Sequence, residues 1–133
     1  MSAGKAIYNI LTNDAPVSAI VSTRVYPIEA SENASYPYVV FDITDTEPVE
    51  SKDNPQYDFE SVEVRCYARG GSGAYLTLED LSDKIITALN NNTGTFNGVI
   101  IKDAQYLNKD DIKLEDEQRI YGKRLDFRFL IQR

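Results

Sequence analysis

Along residues 5–12 the apolar positions fall at Ala6, Ile7, Ile10 and Leu11. That i, i+3, i+4 spacing predicts a short amphipathic helix. Asp14 is placed to cap a second short turn, because its carboxylate can accept from backbone donors that have no helical partner. Pro16 is tolerated there for the same reason, with Val17, Ile20 and Val21 as the buried side. Arg24 to Glu29 predicts a brief strand interrupted by Pro27, and proline confines a strand to an edge or an end. A polar connector at 30–35 follows. Tyr38 to Thr44 is rich in β-branched and aromatic residues and Tyr57 to Arg69 alternates throughout, so the two read as paired strands. The link between them, DTEPVESKDNPQ, carries Pro48 and Pro55 and reads as an exposed hairpin arm.

The stretch RGGSGA is the strongest break in the chain, and Ser72 or Gly73 can start the one long helix, about 74–90. Leu78, Leu81, Ile85 and Leu89 share one face of it, while Glu79, Asp80, Asp83 and Lys84 fall largely elsewhere. NNNTG ends the helix, with Gly94 predicted as its left-handed cap. Val99 to Leu107 and Arg119 to Gln132 form a second hairpin across NKDDIKLEDEQ. In its last strand Leu125, Phe127, Phe129 and Ile131 point one way, and Arg124, Asp126, Arg128 and Gln132 the other. The order predicts a single α+β domain over 1–133, with a mainly antiparallel sheet of about five strands built from two long hairpins. One long helix and short N-terminal helices cover it.

Two Tyr-Pro pairs sharpen that picture. In Tyr26-Pro27 and Tyr36-Pro37 each proline removes a ladder donor and holds the preceding tyrosine extended. They predict the end of one short edge strand and the start of the next. The resulting margin is blunted, suited to meeting a neighbour through side chains.

Net charge is −7, from 21 acids and 14 bases, and it is uneven. Residues 1–70 hold 11 acids and 5 bases, against 10 and 9 in 71–133. Asp42, Asp45, Glu47, Glu50, Asp53, Asp58, Glu60 and Glu63 face only Lys52. Tight nucleic-acid binding needs cations that release counterions, so this balance argues against it, and against an anionic membrane surface. The lone Cys66 allows no internal disulfide and no thiolate metal cluster, which fits a reducing compartment. No apolar run suits a signal peptide or a membrane span, so a chain neither secreted that way nor membrane-bound is expected.

Candidate chemistry is sparse. Histidine is absent, which removes the usual general base and the commonest transition-metal ligand. Cys66 alternates with Val62, Val64 and Ala68 and reads as core. GGSG lacks the Gly-Lys-Ser/Thr ending of a phosphate loop. Asp42, Asp45 and Glu47, or Asp110, Asp111, Glu115, Asp116 and Glu117, offer oxygen ligands, but neither group follows a calcium-loop pattern. A calcium- or small-ligand-binding module using the acidic 42–63 region is therefore an alternative, and solvated loops are the simpler reading. No catalytic residue, cofactor or metal is expected, and no enzyme. Two features remain: tyrosines at strand ends and loop edges, and opposite charges on the long strands, Glu63, Arg65, Tyr67 and Arg69 against Arg124, Asp126 and Arg128.

The stretch LTNDAPVSAIVSTRVYPIEASENASYPYVVFDI, followed by FESVEVRCYA, a Gly/Ser break and LEDLSDKIITALN, resembles the tail-completion or tail-terminator proteins of tailed bacteriophages and prophages. Arg24, Val25, Tyr26, Pro27, Tyr36, Pro37, Tyr38, Val39 and Val40 carry the likeness, which extends over nearly the whole chain. The resemblance implies a structural virion protein assembled in the host bacterial cytoplasm. Its copies, usually six, form a ring on the head-proximal end of the tail tube. That ring stops tube growth and joins the tail to head-completion or neck proteins, and DNA passes through its lumen only as cargo. A neck adaptor or minor tail protein is the alternative within the same virion. Candidate contact residues toward a neighbouring copy or partner are Tyr26, Pro27, Tyr36, Pro37, Asp45, Glu47, Glu50, Asp53, Asp110, Asp111 and Glu115.

Overall fold

A computed structural model describes residues 2–49, 56–112 and 119–133. The chain begins with α1 (Gly4–Asn13) and α2 (Ala15–Val21). Ala6, Ile7, Ile10 and Leu11 are buried on α1, as their spacing requires. The Asp14 carboxylate accepts from the Val17 N–H at 3.1 Å and starts α2, which buries Val17 and Val21, with Ile20 half-buried against the same core. Then come β1 (Val25–Pro27), β2 (Tyr38–Val49), β3 (Tyr57–Arg69), α3 (Ser72–Leu89), β4 (Gly94–Phe96), β5 (Val99–Ile112) and β6 (Ile120–Gln132).

The strands form one sheet in the order β1-β2-β3-β6-β5-β4. It therefore has six strands rather than about five. The added one is β4, which pairs with Val99–Ile101. Gly94 opens that strand, and the left-handed residue after α3 is Asn91, at φ 60°. A side-chain amide tolerates that conformation well enough to free the glycine for the strand. Every pairing is antiparallel except β1 with β2, which is parallel because the connector 28–37 carries the chain back to its starting end.

Both long hairpins run further than their apolar pattern. β2 continues to Val49 and β5 to Ile112, through charged residues, because the partner strand satisfies the backbone whatever the side chains. The hairpins meet where β3 pairs with β6, from Tyr57 opposite Gln132 to Arg69 opposite Ile120. That register sends the β2–β3 turn and the β5–β6 turn to opposite ends of the sheet.

The three helices pack on one face. Val62, Val64, Cys66 and Ala68 of β3 and Leu125, Phe127, Phe129 and Ile131 of β6 meet Leu78, Leu81, Ile85 and Leu89 of α3 and the apolar side of α1. Each fully buried side chain of this size contributes about 1.5–3 kcal/mol of transfer free energy. The sheet curls round α1 far enough that Asn97, just after β4, and Pro27, at the end of β1, line the same 310 Å³ pocket. Asn91 N–H donates to the Ala104 carbonyl, and the Asn90 side chain accepts from Tyr106 N–H. Beyond these contacts, no strand among the described residues borders Leu107–Ile112. On the other margin, Ile28 N–H donates to the Phe41 carbonyl, and past it none borders β2.

Candidate assembly surface

No described residue outside the strands and their tyrosine neighbours covers the sheet face opposite the helices, and alternation decides what stands on it. At one end four tyrosines are neighbours. Tyr38 lies 5.1 Å from Tyr36, 5.3 Å from Tyr67 and 6.0 Å, edge-on, from Tyr26, between ring centroids. Val40, two residues on from Tyr38 at the same parity, is buried yet outside the helix-side core. Burial first, then the neighbouring Tyr36, pushes the Tyr38 phenol up to about 12, so it stays a neutral donor. Tyr67 fits because its neighbour across the ladder is Gly122. A Cβ there would sit 3.0 Å from the Tyr67 ring and 3.1 Å from Cβ of Ile112.

Beside the tyrosines the face is charged. Arg65 on β3 reaches Asp42 at 2.5 Å, Glu63 at 3.6 Å and the Ile28 carbonyl at 3.1 Å. Arg124 on β6 meets Asp110 at 3.0 Å and Asp126 at 3.9 Å. Arg128 lies over the Phe59 ring, 4.6 Å from its centroid. The expected β3–β6 charge pairs do not form, because the register sets Glu63 opposite Asp126 and Arg65 opposite Arg124. Each arginine turns outward to an acid of β2 or β5 and to one on its own strand. Tyrosine and arginine on an uncovered face are the residue types that anchor protein contacts.

The candidate contact residues divide among separate places. Tyr26 and Tyr36 join the tyrosine group, and the Pro37 carbonyl accepts from Arg24 Nε at 2.9 Å. Pro27 instead faces a groove of about 600 Å³ with Gly4, Ile28, Phe41 and Ile43. Ile28 there is 72% exposed and at φ 69°, a costly backbone conformation for a β-branched side chain. Asp45 and Glu47 stand exposed on the β2 arm, toward the opposite end of the face from the tyrosines. Asp110 and Asp111 are engaged internally, with Arg124 and Lys123. Glu50, Asp53 and Glu115 lie outside the described residues.

The acidic run 42–63 does not converge. Asp42 and Glu63 turn to Arg65 on the open face, whereas Asp58 and Glu60 turn to the helix side. Asp58 meets Arg133 Nε at 3.1 Å. Among the described residues, no three His, Cys, Asp or Glu side chains are grouped to hold a metal ion.

Two groups lay outside the sequence reading. Glu60, 1% exposed, accepts from Ala3 N–H at 2.5 Å and from the Thr46 hydroxyl at 2.9 Å, so a β3 carboxylate caps the start of α1. Lys123, 4% exposed, bonds Asp111 at 2.5 Å and Glu79 at 2.7 Å, with the Tyr75 ring 5.3 Å from its nitrogen. Burial pushes the lysine pKa down, but the hydrogen bonds to Asp111 and Glu79 outweigh it and leave the pKa raised. The same lysine hydrogen bond holds Glu79 and Asp111 below their ordinary values. The signal was present: Lys123 interrupts an otherwise apolar alternation at the parity of Leu125 and Phe127. Opposite Lys123, burial drives the Cys66 thiol up to about 12, so it is core rather than nucleophile.

A family profile described as "Tail completion protein gp17" matches residues 5–132. A chain from the solved virion of a native gene transfer agent particle is similar in fold, with a TM-score of 0.80 at 17% identity. The match covers 96% of this chain and 92% of that one. A second solved chain reaches a TM-score of 0.57 at 10% identity, over 92% of this chain and 89% of its own. No curated protein sequence matches.

Proposed function

We propose, because the chain belongs to the tail completion protein gp17 family, that it is a ring-forming subunit at the head-proximal end of a phage tail tube. In this reading the ring stops tube growth, joins the tail to the head-completion or neck protein, and lets DNA pass through its lumen. The match over residues 5–132 carries the proposal. It places the chain among structural proteins of the phage tail. The likeness in fold to a chain of a gene transfer agent virion supports the same setting. So does the uncovered sheet face, whose tyrosine group and cross-strand arginines suit contact with other proteins. The partners are further copies of the chain, the tail tube protein and the neck protein.

Electron microscopy of tails assembled with and without the protein tests the role. Overlong tails, or tails of normal build that cannot take a head and regain that ability when the ring is added back, are expected. Tails of normal length that carry a complete terminating ring without this protein would assign it to a neck adaptor instead.

A further inference from the structure

Among the described residues the sheet has two open edge segments, and their strand sense is complementary. β1 pairs only with Val39–Phe41, and the bond from Ile28 N–H to the Phe41 carbonyl ends that side. From Asp42 onward the outer edge of β2 meets no strand among the described residues, until Pro48, which has no N–H to offer. On the other margin β5 is occupied as far as Tyr106, by β4 and by Asn90 and Asn91. Its outer edge then meets no strand among the described residues over Leu107–Ile112. Asp42–Glu47 and Leu107–Ile112 are six residues each.

We propose that neighbouring copies of this chain join by antiparallel pairing of the β2 edge Asp42–Glu47 in one with the β5 edge Leu107–Ile112 in the next. This rests on the ring reading above and names the contact that makes the ring. Strand sense permits it. β2 and β6 run one way and β3 and β5 the other, so two copies related by rotation about a ring axis bring β2 and β5 together antiparallel. The contact uses different surfaces on the two copies, as a closed ring requires.

Side-chain parity permits it too. The irregularity between Ile43 and Asp45 leaves Asp42, Asp45 and Glu47 all on the open face, matching Asn108, Asp110 and Ile112. With Glu47 opposite Asn108 of the neighbour, faces agree along the whole segment. Within one copy Asn108 is level with Asp42, through Glu63 and Asp126. Joined copies are therefore staggered by about five residues, roughly 15 Å at about 3.3 Å per residue. Stagger of this kind is what tilts strands and closes a sheet.

Charge is mixed at this match, which sets Glu47 against the uncharged Asn108 but Asp45 against Asp110, an acid that Arg124 offsets. Among the described residues Asp45 and Glu47 have no ion pair, whereas Asp110 and Asp111 are already held by Arg124 and Lys123. Lys109 stands at helix-side parity, level with Thr46 in this register, and already meets Asp83 at 3.9 Å. Leu107 is 56% exposed at the start of the segment, an apolar group that an added strand would cover. Backbone pairing would supply affinity, with the side chains setting register.

The test is disulfide trapping with Glu47→Cys and Asn108→Cys, both exposed positions, in a chain whose native thiol is buried. Under mild oxidation each single variant should stay uncrosslinked. A mixture of the two should give a covalent dimer, and the double variant a ladder ending in a closed ring, with masses read by light scattering and non-reducing gels. As a second measurement, Asp45→Lys, which sets a cation against Asp110 of the neighbouring copy, should tighten assembly several-fold, and a weakening would overturn this register. A ring that forms without the 47–108 bond, or a dimer from either single variant, overturns this contact and leaves the ring reading standing. A chain that stays monomeric in solution and on purified tails overturns both.

Discussion

Glu60 shows how one carboxylate joins distant parts of the chain. It stands on β3 yet closes the start of α1, where Ala3 has no capping side chain of its own. The Thr46 hydroxyl takes its other oxygen. Removing it with Glu60→Ala strands a buried N–H and should cost about 1–3 kcal/mol in urea denaturation. Glu60→Gln keeps an oxygen for Ala3 and should lose less than half as much. Equal losses would mean that the charge, not the acceptor, matters at this helix start. Nothing local marks this role in the sequence, where Glu60 is one more acid in an acidic run. It becomes visible only as an acid at a core parity of β3, among Val62, Val64 and Cys66. The strained Ile28 was equally hidden, because a positive φ at isoleucine has no signature in composition.

At the scale of elements, periodicity was a good guide where neighbours in sequence are neighbours in space. The buried face of α1, the Asp14 cap, the whole of β3 and the alternation of β6 follow from spacing alone. What did not follow depends on distant partners. β4 is three residues long and exists because Val99–Ile101 presents an edge to it, and β1 is parallel because of where the connector lands. The charged extensions of β2 and β5 are strands by courtesy of β3 and β6. Gly122 reflects the same dependence: its missing side chain is filled by the Tyr67 ring from β3. Gly122→Ala should therefore cost about 1–3 kcal/mol by thermal denaturation, as overpacking does. Adding Tyr67→Leu should recover part of that loss; if it recovers none, the strain lies elsewhere in β6.

For the whole molecule, Lys123 ties α3, β5 and β6 at one end of the sheet and sets a pH range. Glu79 and Asp111 titrate below their ordinary values of 4.5 and 3.8 when folded. They stabilise the fold fully above those values, and the contribution disappears as pH falls past them. The raised lysine adds stability below its ordinary 10.5, lost only at higher pH. Lys123→Met keeps the side-chain length while removing the charge. Because both carboxylates are partly exposed and regain water, it should cost about 1 kcal/mol at neutral pH, a fall of about 3–5 °C in Tm. Scanning calorimetry should find that gap narrowing by pH 3. A gap independent of pH would assign the loss to packing alone.

The two hairpin turns leave the sheet at opposite ends, and those ends differ in kind. One carries Asp45 and Glu47, without an ion pair among the described residues, and the other the tyrosine group with Lys123 and Arg124. The molecule is thus a vector rather than a symmetric plate. Copies set side by side in one sense would build a disc with two unlike rims, and such a disc could be mounted only one way up. An orientation that an assembly line would otherwise have to inspect is then written into each part.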